Sequence, residues 1–139
     1  MEFDPDALYS MMKLAVRQMV DGGYKQIIAH FERYSCLYGR RERLDELREC
    51  GAMLQLNFDR LLGRDGLLRR NPWRRLMKEG YVDYLGSDTH GMHFRPLHVK
   101  SAVEWLTAEV DAGIVRHVMV DNIHALLGEQ SASRRESKA

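Results

Sequence analysis

Gln26-Ile27-Ile28-Ala29-His30 is a short apolar run that carries β-branched residues and stops on a polar side chain. A run of that length and make-up reads as a buried strand with a functional tip. The pattern returns at Met53-Leu54-Gln55-Leu56-Asn57, and again from Val82 to Gly86, which leads into Ser87-Asp88-Thr89-His90. Helical patterns separate the runs, so the repeat has the size of a βα unit, about 30 residues. Strand and helix in alternation imply an α/β fold on a parallel sheet, open or closed into a barrel. Glu2-Phe3 fits the last two residues of a fourth strand.

The intervening segments carry helix punctuation. Asp4-Pro5 reads as an N-cap with a first-turn proline, and Leu8, Met11, Met12, Ala15 and Met19 then recur at helical spacing up to Gly22-Gly23. These methionines are expected as adaptable core filling. A charged helix through Leu44 and Leu47 ends near Gly51, and Asn71-Pro72 opens another that carries Trp73, Leu76 and Met77 before Gly80. Pro96 introduces the longest helix, striped by Val99, Ala102, Val103, Leu106 and Val110. A last helical stretch from Val115 to Leu127 is expected to break near Asp121-Asn122. Residues 1–128 read as one unit, and 129–139 as a polar, disordered tail without apolar anchors.

Composition narrows the partners. The 21 basic and 20 acidic residues nearly cancel, which gives no electrostatic reason to expect nucleic acid or an anionic membrane. Local basic runs at Arg40, Arg41 and Arg43, and at Arg69, Arg70, Arg74 and Arg75, read as solvated helix faces. No apolar run approaches the roughly 20 residues that cross a bilayer, so no membrane insertion is expected. Cys36 and Cys50 lack the spacing of a secreted disulfide scaffold, and the N-terminus lacks a signal-peptide pattern, which makes the cytoplasm the expected compartment.

In parallel α/β folds chemistry gathers at the C-terminal ends of the strands. Glu2, His30, Asn57, Asp88 and His90 all fall there. An isolated Asp-x-His or strand-end His is usually structural; their shared position at consecutive strand tips is what points to a metal. Imidazole and carboxylate together suit zinc, manganese or iron. Arg33 and Arg95 lie just beyond candidate ligands, where a guanidinium fork pairs two phosphate oxygens, or else a neighbour such as Glu32. His98, His117 and His124 are expected on the surface or at caps, and His93 in a loop.

These residues resemble a known family. Ala29-His30-Phe31-Glu32-Arg33-Tyr34 is similar to the A-H-x-E-R-Y motif of the PHP (polymerase and histidinol phosphatase) tyrosine phosphatases of bacterial capsule and exopolysaccharide synthesis. Gly86-Ser87-Asp88-Thr89-His90 resembles their A-S-D-x-H-N motif, followed by Arg95-Pro96; Gln55-Leu56-Asn57 matches Q-[LV]-N, and Glu2-Phe3 the E-F before it. The resemblance runs over residues 1 to 128 in family order. It implies the C-terminal half of a distorted (β/α)7 PHP barrel with parallel strands, holding divalent ions, manganese first with iron or zinc as alternatives. Those ions activate water against a phosphotyrosine ester.

On that resemblance Glu2, His30, Asp88 and His90 are metal ligands, while Arg33 and Arg95 hold the phosphate and act in catalysis. The implied substrate is a phosphotyrosine protein, the autophosphorylated kinase of capsule synthesis. Small phosphates such as histidinol phosphate are the alternative substrate class, and a non-catalytic remnant the alternative role. Phe31 stands where many relatives have Pro, Gly91 where Asn is common, and Ile123 where Asn122 would precede Pro. The family's N-terminal H-x-H motif is not in the chain, so a cluster of several ions is expected to be incomplete and the isolated chain weak or inactive. Unpaired edges of a half barrel favour association, including a homo-oligomer.

Overall fold

The computed structural model describes residues 1–62, 71–88 and 99–128. His90, Arg95, His93, His98, the helix start at Pro96 and the tail from 129 lie outside the described residues. Three strands, β1 (Gln26–Ile28), β2 (Ala52–Asn57) and β3 (Tyr84–Gly86), form a parallel sheet in the order β1-β2-β3. Register aligns Ile28 with Leu54 and Asn57 with Gly86, so the strand tips point the same way. Met1 extends the sheet past β1: its ammonium donates to the Ile27 carbonyl at 2.6 Å, and Ala29 N–H donates back to the Met1 carbonyl at 2.9 Å. Bonds to residues i−1 and i+1 of a neighbour are the parallel ladder pattern. Glu2-Phe3 thus continues from a strand-like position, as its sequence suggests.

Helices cover one face. Ile28, Leu54 and Leu56 are fully buried, together with Met12 and Val16 of α1 (Tyr9–Asp21), Leu44 and Leu47 of α2 (Arg41–Glu49) and Leu61 of α3 (Phe58–Leu62). Met77 of α4 (Pro72–Lys78) and Leu106 of α5 (Val99–Glu109) complete the same core. The opposite face, with Ile27, Met53 and Gln55, is half-buried, and there Gln55 meets the strand-end Asn57. Among the described residues no helix is long and apolar enough to cross a membrane.

Helix α4 starts as its sequence signal implies, with Asn71 Oδ1 accepting from the N–H groups of Trp73 and Arg74. Asp4-Pro5 does not. Helix α1 begins only at Tyr9, with Leu8 at the cap and no side-chain capping bond. The Asp4 carboxylate accepts instead from Asp6 N–H at 2.9 Å, and the Pro5 carbonyl is taken by Ser35 N–H at 3.0 Å. The local turn and its tether to Ser35 hold residues 4–7 out of the helix.

The expected methionine stripe is also corrected. Only Met12 of that set is buried, whereas Leu8, Met11 and Met19 are exposed at 70%, 61% and 37%, because the line facing the sheet is Met12 and Val16. The expected break at Asp121-Asn122 is absent. α6 (Ala112–Arg116) passes into a π-helical turn, His117–Asp121, and the backbone stays helical through 122–128. Asn122 there donates through Nδ2 to the Asp83 carbonyl at 2.7 Å, a use that needs no break. His117 and His124 are exposed, as expected.

Candidate metal centre

Beyond β1 the chain turns sharply. His30 holds φ 35°, ψ 54°, and opens a one-turn 3₁₀ helix, Phe31–Arg33. Its ring is nine-tenths buried, and its Nε2 lies 2.8 Å from Glu2 Oε1, whose carboxylate is 69% exposed. The sheet edge supplies one partner and the turn the other. An imidazole nitrogen and a carboxylate oxygen side by side, with the carboxylate still open to solvent, are of the donor types that divalent cations take.

Tyr34 braces the pair. Its phenol oxygen accepts from Phe3 N–H at 3.1 Å, and its ring sits edge-on to Phe3 at 5.9 Å and tilted against His30 at 6.0 Å. The backbone N–H of His30 is accepted by Gln55 Oε1 at 2.8 Å. On the sequence Tyr34 and Gln55 are only letters of motifs; their bonds to the Glu2 and His30 segments are long-range and leave no local signal.

Arg33 ends the same turn and forms an ion pair through Nη2 with Asp88 Oδ2, beyond the tip of β3. Its partner is therefore Asp88, not Glu32. Asp88 has φ 47°, and it and His30 are the non-glycine residues with positive φ among those described. That left-handed region is disfavoured for residues with a β-carbon and is over-represented at functional sites. Both candidate ligands thus sit in this sparsely populated backbone region.

Glu32 lies between them in sequence with a fully buried side chain. Neither of its carboxylate oxygens makes a well-formed hydrogen bond among the described residues, and Arg60 Nε lies 3.9 Å away. Burial pushes its carboxyl above the usual range, partly countered by its own backbone N–H, by Arg60 and by the Asn57 N–H. His30 Nδ1 is buried and has no hydrogen-bond partner among the described residues. No group of three or more His, Cys, Asp or Glu side chains assembles into a metal cage among the described residues. Those residues fit part of a metal site: Glu2 with His30 directly, Asp88 held by Arg33 alongside.

Cysteine chemistry finds no support. Cys36 and Cys50 are both free thiols, and burial pushes Cys36 up, away from the thiolate a nucleophile needs.

Comparison with known proteins agrees with this architecture. The chain is 23% identical over 134 residues to the tyrosine-protein phosphatase CpsB of Streptococcus pneumoniae, covering 93% of this chain and 55% of the relative. CpsB of Streptococcus agalactiae serotype V is also 23% identical, over 131 residues, with 91% and 54% covered. The chain spans about half the length of these relatives. A chain from the crystal structures of YwqE from Bacillus subtilis and CpsB from Streptococcus pneumoniae, described as unique metal-dependent tyrosine phosphatases, superposes with a TM-score of 0.76. That match has 24% identity and covers 88% of this chain and 50% of the other. The family model for capsular polysaccharide synthesis, CpsB/CapC, matches residues 1–128, and with the same fold beneath it this chain belongs to that family.

Proposed function

We propose that this chain carries part of the active site of a metal-dependent phosphotyrosine phosphatase of capsule and exopolysaccharide synthesis. The observation that carries the reading is the single turn 30–33, which places His30 against Glu2 and Arg33 against Asp88. Ligand-type and phosphate-type side chains alternate there within four residues. On this reading Glu2, His30, Asp88 and His90 hold the metal, manganese by preference, and Arg33 and Arg95 hold the phosphate. When bound, a divalent cation lowers the pKa of water and offsets charge on phosphate oxygens.

The protein's own groups supply the rest. His30, sealed on one side, presents Nε2 beside an exposed carboxylate, so a cation reaches it from the solvent side only. Arg33, 28% exposed, keeps Asp88 oriented and still offers guanidinium donors to an arriving phosphate. Residues 1–128 are the C-terminal half of a distorted (β/α)7 barrel on this reading, and the part of the relatives outside the match supplies further ligands. The substrate is a phosphotyrosine protein, a tyrosine kinase of capsule synthesis, met in the cytoplasm.

Equilibrium dialysis of manganese against the 139-residue chain, Glu2→Gln and His30→Ala tests the metal reading. Each substitution is expected to weaken binding about tenfold or more. Binding that neither substitution changes overturns it.

A further inference from the structure

Gln55 sits near the middle of β2, its side chain on the face opposite Leu54 and Leu56. Its amide is used at both ends. Oε1 accepts the backbone N–H of His30 at 2.8 Å, and Nε2 donates to Asn57 Oδ1 at 3.0 Å. A backbone N–H only donates, so His30 fixes which end of the amide faces it, and Nε2 necessarily turns to Asn57. The third strand closes on the same group. A Cβ added at Gly86 would lie 2.5 Å from Gln55 Nε2, closer than such atoms approach, and a tight 3.1 Å from its Cδ.

One amide therefore touches the tips of three strands: His30 just past β1, Asn57 at the end of β2, and Gly86 at the end of β3, two residues before Asp88. His30 needs such a hold. Its φ of 35° is one that side-chain-bearing residues rarely adopt, and the hydrogen bond its N–H donates to Gln55 Oε1 holds the backbone at that turn. With the backbone fixed, the imidazole lies with Nε2 at Glu2.

We propose that Gln55 is a positioning residue whose amide, wedged against Gly86, fixes His30 in its left-handed conformation and so sets the affinity of the Glu2–His30 corner for a divalent cation. The inference rests on the metal reading of Glu2 and His30. Gly86 is glycine for the same reason: any β-carbon there displaces the amide.

Manganese affinity and melting temperature of the full chain test it, with Gln55→Met, Gln55→Glu, Gly86→Ala, the Gln55→Met/Gly86→Ala pair, and His30→Ala as reference. Met fills the space of Gln without its acceptor, whereas Glu keeps an acceptor for the His30 N–H. Gln55→Met is expected to lose about 10- to 100-fold in manganese affinity while the chain still folds, its melting temperature lowered by several degrees for the orphaned His30 N–H. Gln55→Glu retains native affinity or exceeds it. Gly86→Ala weakens binding as Gln55→Met does, and the pair loses less than the sum of the two in log affinity, since both act through one amide. Native affinity in Gln55→Met, where His30→Ala loses it, overturns the role of Gln55 and leaves the metal reading standing. Native affinity in His30→Ala overturns the metal reading, and this inference with it.

Discussion

Arg33 and Asp88, 55 positions apart, meet in an ion pair between the turn after β1 and the tip of β3. The guanidinium has five donors and this contact engages one nitrogen, so Arg33 can hold Asp88 and a phosphate oxygen together. Arg33→Gln is therefore expected to weaken orthophosphate binding to the manganese-loaded chain by about 10- to 100-fold, the worth of a charge-assisted hydrogen bond. Manganese affinity is read alongside it, since Arg33 also orients the Asp88 carboxylate. Isothermal titration separates the two, and a phosphate affinity unmoved by the substitution would remove Arg33 from the phosphate site.

The Tyr34 phenol joins the Glu2 segment to the His30 turn through a single bond to Phe3 N–H at 3.1 Å. Tyr34→Phe deletes that acceptor while keeping the ring contacts with Phe3 and His30. The expected cost is about 1 kcal/mol in global stability, with a larger relative effect nearby: the Phe3 amide should exchange faster with solvent. Manganese binding should weaken as Glu2 gains freedom. Unchanged exchange at Phe3 would mean that the phenol does not tether this segment.

Asp83 gives a pH signature. Its Oδ2 accepts the buried Leu54 N–H at 2.8 Å, with Arg48 only at 3.9 Å, and burial raises its carboxyl above the usual range. The native state therefore holds this proton at a pH where the unfolded chain has released it. Stability from this group falls as pH rises from the unfolded value to the raised folded value, then stays level. Asp83→Asn keeps an acceptor for Leu54 and removes the buried charge, so its urea midpoint should gain on the native protein as pH rises above the ordinary aspartate range. Asp83→Ala, which orphans the Leu54 N–H, should cost about 1–3 kcal/mol. Parallel pH profiles for the native protein and Asp83→Asn would contradict the raised carboxyl.

The three strands and their parallel direction are legible in the sequence because each apolar run stops at a polar or glycine residue and helical patterns separate the runs, whereas their order β1-β2-β3 comes from the structure. Asn71-Pro72 is legible because cap and helix lie within four residues of each other. Asp4-Pro5 carries the same letters and fails. Its competing partner is Ser35, 30 positions away from Pro5, and no local pattern records that contact. Tyr34 and Gln55 escape for a related reason: one side chain bonding a backbone N–H across 31 or 25 positions has no periodicity to betray it. Periodicity also misassigned the face of α1, since Leu8, Met11 and Met19 fit a helical stripe as well as Met12 and Val16 do. Which stripe meets the sheet depends on where the helix starts, and the turn at Asp4 moved that start.

Among the described residues two candidate ligands, Glu2 and His30, meet directly and Asp88 is held by Arg33, while no three-ligand group forms. The matched relatives are about twice as long as this chain. Attack of water on a phosphate ester gains most when a cation activates the water and a second offsets charge on the phosphate, so part of a ligand set gives part of the rate. Hydrolysis of a phosphotyrosyl peptide with added manganese should therefore be slow for the 139-residue chain. A fusion to the segment of Streptococcus pneumoniae CpsB outside the match should be ~100-fold faster or more, about 2.7 kcal/mol of barrier. His30→Ala in the fusion should return the rate to that of the chain alone. Gain in the fusion that survives His30→Ala would assign the chemistry wholly to the added segment and leave this chain a non-catalytic part. Full activity in the chain alone, abolished by His90→Ala and dependent on protein concentration, would instead show that a second copy completes the site.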